Sequence, residues 1–144
     1  MYNGMLHLHN VLRWVILILL LLSILQAFAK YPGLKNTSLW LMIAAHIMLL
    51  LGITQWFIGE TGYKLIQNSG FSAIMEDGKL RFFAIEHVAG MLISIILITI
   101  ARGKAKRSHY KAASWLYVIA LLLILATIPW PFREGIGRPW FPGM

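Results

Sequence analysis

The sequence predicts an all-α integral membrane protein built as a four-helix bundle. Of its 144 residues, 59% are hydrophobic and only 12% are charged, whereas soluble domains are about 25% charged and about 45–50% apolar. The mean hydropathy is +0.72. Four apolar stretches reach the roughly 20 helical residues that cross a bilayer core of about 30 Å. We therefore expect a single transmembrane domain over residues 1–144.

The four predicted spans follow one another with two short connections and one longer one. They cover about residues 6–29, 38–58, 82–101 and 112–130. The segment Lys30-Tyr-Pro-Gly33 is a tight turn with helix-ending residues, so the first two spans form an antiparallel pair. In the longer connection, the apolar segment Phe71–Met75 is either a short helix along the membrane surface or a plain loop. This order gives an up-down-up-down bundle with both termini on one face.

The charged residues divide unevenly between the two faces of this bundle. The net charge of +8 comes from 13 Lys and Arg against 5 Asp and Glu. One face carries only basic residues, namely Lys30, Lys35, Arg102, Lys104, Lys106, Arg107 and Lys111. The positive-inside rule places these short loops in the cytoplasm, which predicts a multi-pass protein of the bacterial inner membrane with periplasmic termini. The orientation of the chain in the membrane accounts for the excess of basic residues, so we expect no nucleic-acid partner.

The end of the first span also matches a signal-peptidase pattern, Ala-Phe-Ala at residues 27–29 after an apolar run. Cleavage there would leave three spans and would place Lys30 and Lys35 on the face opposite the basic segment 102–111. The charge distribution therefore favours an uncleaved chain with four spans.

Several ionisable residues lie within the predicted spans, where they are costly and indicate functional sites. They are His7, His9 and Arg13 in the first span, His46 in the second, and Glu86 and His87 in the third. The chain has no cysteine, which excludes disulfides, thiolate metal sites, iron–sulfur clusters and covalently attached haem. Any metal must therefore be held by histidine, carboxylate or methionine.

His9 and His87 are predicted to lie at similar depth below the same face. The first and third spans both start there, which places both residues within about two helical turns of it at a rise of about 1.5 Å per residue. Two neutral imidazoles from facing helices can bind a haem iron from both sides, and without cysteine the haem is of b type. We predict His9 and His87 as the axial pair, with His46 or His7 as alternative ligands.

His46 lies about eight residues into the second span, roughly 12 Å deep and close to the membrane midplane. It can pair with His87 across a tilted haem, or it can instead form a structural hydrogen bond to a backbone carbonyl or to a polar group on a neighbouring span. The sequence leaves these two alternatives open. His7 lies closer to water than His9, so an interfacial role is the simpler interpretation for His7.

Small residues follow His87 on its own helix face. Gly90 and Ser94 come three and seven residues later, which predicts a groove where a flat macrocycle approaches the backbone. A glycine at this position is also expected at a plain helix–helix contact. Both interpretations of Gly90 are open.

Arg13 and Glu86 are predicted to handle charge or protons near the cofactor. Arg13 lies one turn after His9 on the same face, where it can pair with Glu86, with a haem propionate or with a bound quinone. Alternatively, Glu86 and His87 form a structural hydrogen-bonded pair that closes the bundle with Arg13.

Four segments and the tail of this chain carry a family resemblance. They are LHLHNVLRWVILILL, AHIMLLLGITQWFIG, RFFAIEHVAGMLISIILITIAR and LLLILATIPWPF, with the RPWF tail. They resemble the small bacterial four-helix membrane proteins commonly labelled cytochrome B. The resemblance runs along the whole chain and implies a haem b membrane protein. By architecture it is similar to four-helix cytochromes b that exchange electrons between quinone and the outer face. Those proteins usually place two or more histidine pairs, some on the last span. This chain has no histidine in its fourth span, so the resemblance implies a single haem.

The sequence therefore predicts a membrane electron-transfer protein that binds one haem b and is linked to quinone or to a redox protein. Two other classes are open, a haem-free small subunit or assembly factor of a respiratory complex, and a protein that binds copper or another transition metal. No nucleotide-binding motif or catalytic nucleophile is present, so hydrolase or transferase activity is not expected. Either a monomer or an oligomer is compatible with the pattern.

Overall fold

The computed structural model describes residues 1–141 and 143, and within them the chain is helical without β-strands. The helices are α1 (Tyr2–Phe28), α2 (Leu34–Ile58), α3 (Tyr63–Ser69), α4 (Phe71–Glu76), α5 (Gly78–Arg81), α6 (His87–Lys106) and α7 (Tyr110–Thr127), with a π-helical turn at Phe82–Glu86. Four of the described segments, carried by α1, α2, α6 and α7, are long and apolar enough to cross a membrane. The predicted fold class and the multi-pass membrane character are thereby confirmed.

The four long helices pack around one core. α1 contacts α2 and α7, and α6 contacts the same two helices, so α1 and α6 lie diagonally across the bundle. Fully buried side chains such as Leu20, Leu41 and Ile98 fill its centre. Large apolar side chains also cover the outside, among them Ile18, Leu25, Leu50, Ile93 and Leu122. An apolar exterior around an apolar core is the surface that a lipid bilayer requires.

The helix ends differ from the predicted spans where local backbone chemistry decides them. α1 begins at Tyr2 and α2 at Leu34, each about one turn before the predicted position. α7 ends at Thr127, because Ile128 is extended and Pro129 follows it, and a residue before proline disfavours the helical conformation. The prediction that the fourth span reaches Trp130 is therefore wrong.

Two tight turns lie at the same end of the bundle. In the first, Lys30 has a positive φ of 52° and the Tyr31 amide donates to the Gln26 carbonyl at 2.9 Å, which satisfies a carbonyl at the end of α1. In the second, Ser108 has a φ of 60° and the His109 amide donates to the Lys104 carbonyl at 2.9 Å. We call this end the basic end, and the opposite end, with residues 59–86 and 128–141, the tail end.

The long connection at the tail end contains three short helices, α3, α4 and α5. Phe71–Met75 lies in α4, so this segment is a helix and not a plain loop. α5 begins after Asp77, whose carboxylate accepts from the Lys79 amide at 2.8 Å and from the Leu80 amide at 3.3 Å. This is an ordinary N-cap, and it leads the chain directly into the π-helical turn.

The π-helical turn at Phe82–Glu86 opens the third span, at the residue where that span is predicted to begin. Here Trp56 at the end of α2 donates its indole N–H to the Ala84 carbonyl at 2.9 Å. Such turns interrupt the regular helical ladder and are frequent at functional sites. This one ends at Glu86, immediately before His87, and so sets the direction in which the His87 side chain leaves the helix.

Candidate functional site

His9 and His87 face each other inside the tail end of the bundle. Their ring centroids are 6.4 Å apart and the ring planes are inclined by 51°. Because α1 and α6 lie diagonally, the two rings meet across the centre of the bundle. The structure thus brings together the two histidines that the sequence predicted at similar depth.

The orientation of His87 is set by a hydrogen bond to the end of α7. Its Nδ1 atom donates to the Thr127 carbonyl at 2.7 Å. Thr127 is the last residue of α7, and carbonyls at a helix end have no donor within the helix. A protonated Nδ1 leaves the Nε2 lone pair of a neutral imidazole free, and this carbonyl contact is the type that orients metal-binding histidines.

His9 is less completely bonded than His87. Its Nδ1 atom is buried and has no hydrogen-bond partner among the described residues, and an unmet buried polar atom costs about 1–3 kcal/mol. Beside it, a Cβ atom added at Gly52 would meet only His9 Cε1, at 3.6 Å. The α2 side of His9 therefore has room for one methyl group. The place of Gly52 opposite His9 follows only from the packing.

Gly90 serves helix packing. A Cβ atom added there would lie 2.4 Å from Thr127 Cγ2, and the buried Ser94 hydroxyl donates to the Gly90 carbonyl at 2.8 Å. Of the two interpretations of Gly90, the structure agrees with the helix–helix contact. The face of α6 predicted as a groove for a macrocycle is filled by α7.

Arg13 is buried and bonded to backbone rather than to a carboxylate. Its Nη2 atom donates to the Asn10 side-chain oxygen at 2.8 Å, to the Trp140 carbonyl at 2.8 Å and to the Pro139 carbonyl at 3.3 Å. The guanidinium also lies over the Trp14 ring, 5.2 Å from its centroid. The chain after α7 thus supplies the polar partners of this buried cation.

Glu86 does not pair with Arg13, so this predicted pair is wrong. Glu86 accepts instead from Arg81 Nε at 2.6 Å, and both side chains are partly exposed. Arg81 additionally donates to the Met75 carbonyl at 2.8 Å. The physical reason is the π-helical turn, which leaves Glu86 on the exposed side and the next residue, His87, facing inward.

Residues 128–141, which we call the C-terminal tail, fold back onto α1. The Trp14 indole donates to the Trp140 carbonyl at 2.8 Å. Its ring lies 6.2 Å from Trp140, 5.7 Å from Phe141 and 6.3 Å from Trp130. This aromatic cluster covers the Arg13 side of the bundle. In the sequence, the RPWF tail belongs to the segments that carry the family resemblance. Its contact with Arg13 follows only from the tertiary structure.

His46 and His7 lie apart from the facing pair. His46 is exposed on the outside of α2, and its Nδ1 atom donates to the Met42 carbonyl at 2.8 Å in its own helix. His7 is also exposed. Neither is brought to His87 in this arrangement, and within the described residues no cluster of three or more His, Cys, Asp or Glu side chains is placed to hold a metal ion.

Comparisons with protein-family models, with curated proteins and with solved structures find no match to this chain.

Proposed function

We propose that the protein binds one haem b between His9 and His87 and transfers electrons at the tail end of the bundle. The facing pair carries this proposal. Two imidazole nitrogens about 2.0 Å from one metal place the ring centroids roughly 6 Å apart once the ring radii are added. The distance of 6.4 Å between the His9 and His87 centroids fits that arrangement.

The donor set also favours haem over a bare ion. A structural zinc ion takes about four protein ligands, whereas here two imidazoles face each other and no described cluster of three ligands surrounds them. Haem brings four nitrogens of its own and needs only two axial side chains. A chain without cysteine holds such a haem without covalent attachment.

The surrounding residues support this assignment in different ways. Haem iron supplies one-electron redox chemistry when it is bound. The Thr127 carbonyl holds the His87 ring in one orientation, and Gly52 leaves room beside His9. Arg13 supplies a positive charge one turn from His9, which suits an anionic propionate or the oxygen of a quinone.

The proposed setting is the bacterial inner membrane, with the basic end in the cytoplasm. Seven basic residues and no acidic residue belong to that end, which is the distribution that the positive-inside rule associates with cytoplasmic loops. The haem then lies near the periplasmic face, where a quinone in the bilayer or a periplasmic redox protein can exchange electrons with it.

Absorption spectra of the purified full-length protein test the proposal. We expect a Soret band, reduced b-type bands and a pyridine haemochrome, all lost in His9→Ala and His87→Ala because each removes one axial ligand. His46→Ala and His7→Ala are matched controls and should keep the spectrum, since both side chains are exposed.

Three outcomes contradict the proposal in different ways. A haem spectrum that survives His87→Ala excludes this ligand pair. A colourless protein that copurifies with copper indicates the transition-metal alternative. A colourless, metal-free protein indicates the haem-free subunit or assembly factor.

A further inference from the structure

Polar side chains from all four long helices lie near the basic end, far from His9 and His87. They are Ser23, Gln26, Ser38, Arg102 and Tyr117, which we call the polar layer. Each lies two to seven residues from the basic end of its helix, which is about 3–11 Å along the axis. These residues therefore all lie within about two helical turns of the basic end even though they come from distant parts of the chain.

Four atoms of the polar layer are buried without a hydrogen-bond partner in the described part of the chain. They are the Tyr117 hydroxyl, Ser23 Oγ, Gln26 Oε1 and Arg102 Nη1. Tyr117, Ser23 and Ser38 are each 0% exposed. The Tyr117 hydroxyl lies beside Ser38 and within electrostatic range of Arg102. Buried polar groups are normally bonded, so four unmet atoms within about two turns of the same end point to a bound group.

The charge of Arg102 indicates the sign of that group. A cation within a membrane span normally pairs with an acidic side chain or with backbone carbonyls. All five acidic residues belong to the tail end, namely Glu60, Glu76, Asp77, Glu86 and Glu134. The basic end carries seven cations, and their summed potential attracts anions. The layer itself offers unpaired donors, namely the Arg102 guanidinium and the hydroxyls of Tyr117 and Ser23.

The surrounding residues limit the size of the anion. Small side chains line the helix contacts at this end, and Ala27, Ala101, Ala105 and Ala113 are each at most 2% exposed. Helices in such close contact favour a small anion over a lipid headgroup or a phosphate ester. Water would satisfy the hydroxyl groups but would leave the guanidinium charge uncompensated.

We propose that the polar layer binds a small monovalent inorganic anion such as chloride. Arg102 supplies the counter-charge, the hydroxyls of Tyr117 and Ser23 donate to the anion, and the Gln26 amide turns its NH2 group toward it, while Ser38 donates to the Lys35 carbonyl at 3.2 Å. This site lies at the opposite end of the bundle from the proposed haem and does not depend on it.

Thermal unfolding of the full-length protein in detergent tests the site, with chloride exchanged for gluconate at constant ionic strength. A ligand that binds the folded state raises the midpoint by mass action. We expect a saturable rise of several degrees with chloride, lost in Arg102→Gln and Tyr117→Phe. Ser114→Ala is the matched control, because that buried hydroxyl already donates to the Lys111 carbonyl at 2.7 Å.

General screening of the basic surface is tested separately with Lys106→Gln, which removes an exposed cation from the same end. This variant should keep the chloride-dependent rise.

The same midpoints in chloride and in gluconate, or an equal loss in Lys106→Gln and Arg102→Gln, would overturn the proposal. If Arg102→Gln does not fold, the conservative Tyr117→Phe decides, and an undiminished chloride response in that variant also overturns it. Repeating the titration in His87→Ala separates this result from haem binding.

Discussion

At the scale of single residues, Arg13 shows how a buried cation is accommodated without a carboxylate. Burying a charge is costly unless it is paired and hydrogen-bonded. Arg13 Nη2 meets this requirement through the Asn10 side chain and the backbone carbonyls of Pro139 and Trp140. These carbonyls belong to the irregular C-terminal tail, which offers acceptors that no helix has already used. One residue thus ties the end of the chain to its beginning.

Removing that side chain should release the C-terminal tail. In Arg13→Ala the tail carbonyls lose hydrogen bonds to a charged donor, each typically contributing about 1.5–3 kcal/mol. We expect a lower thermal midpoint and rapid proteolysis after residue 128. Mass spectrometry of the proteolytic fragments is the measurement. Arg107→Ala, at an exposed arginine of the basic end, is the control, and a tail as resistant in Arg13→Ala as in the parent protein would refute this role.

At the scale of helices, the end of α7 has two functions in one turn. The Thr127 side chain packs against Gly90, and the Thr127 carbonyl accepts from His87 Nδ1 at 2.7 Å. The Thr127 hydroxyl in turn donates to the Leu123 carbonyl at 2.8 Å, which holds its methyl group toward α6. Close packing of α6 on α7 therefore also positions the His87 ring.

Gly90→Ala tests this coupling. The new Cβ atom would lie 2.4 Å from Thr127 Cγ2, and overpacking of this kind costs about 1–3 kcal/mol. Alanine favours a helix by about 1 kcal/mol over glycine, so a lower thermal midpoint would come from the clash alone. We expect the double variant with Thr127→Ser, which removes Cγ2, to regain most of the loss.

The control for this cycle is Ala89→Leu, at the exposed neighbouring position, which should leave the midpoint unchanged. Independent, additive effects of Gly90→Ala and Thr127→Ser would contradict the proposed contact, because residues in direct contact show a coupling energy.

At the scale of the whole molecule, the two ends of the bundle differ in charge. The outside of the bundle is apolar over its middle, while the basic end carries seven cations and no acidic residue. The tail end holds all five acidic residues and the His9–His87 pair. Orientation in the membrane therefore decides on which side the proposed haem exchanges electrons.

Single cysteines introduced by substitution can report that orientation. The chain has no cysteine of its own, so no other residue reacts with a maleimide label. We expect Ser72→Cys, at the tail end, to react with a membrane-impermeant maleimide added outside spheroplasts. Tyr31→Cys, at the basic end, should react only after the membrane is opened. Both positions are exposed, so access and not burial decides the result. Labelling of Tyr31→Cys from outside would reverse the proposed orientation.

Much of this architecture could be predicted because it depends on local patterns. Apolar runs locate the four long helices, and Lys30-Tyr-Pro-Gly33 locates the first turn. The similar depth of His9 and His87 follows from counting residues along two spans that start at one end. Contacts made by Glu86 and Gly90 could not be predicted, because they depend on a π-helical turn and on which helix lies opposite.

The sequence by itself determined the number of spans, the unequal charge of the two ends and the depth of His9 and His87, since each depends on composition and on the rise of a helix. The tertiary structure alone decided that Arg13 binds the C-terminal tail, that His46 faces outward while His9 and His87 face each other, and that five polar residues share a layer. Helix rotation and the path of the tail set these contacts. They arise from packing between segments far apart in the chain, which no local pattern encodes.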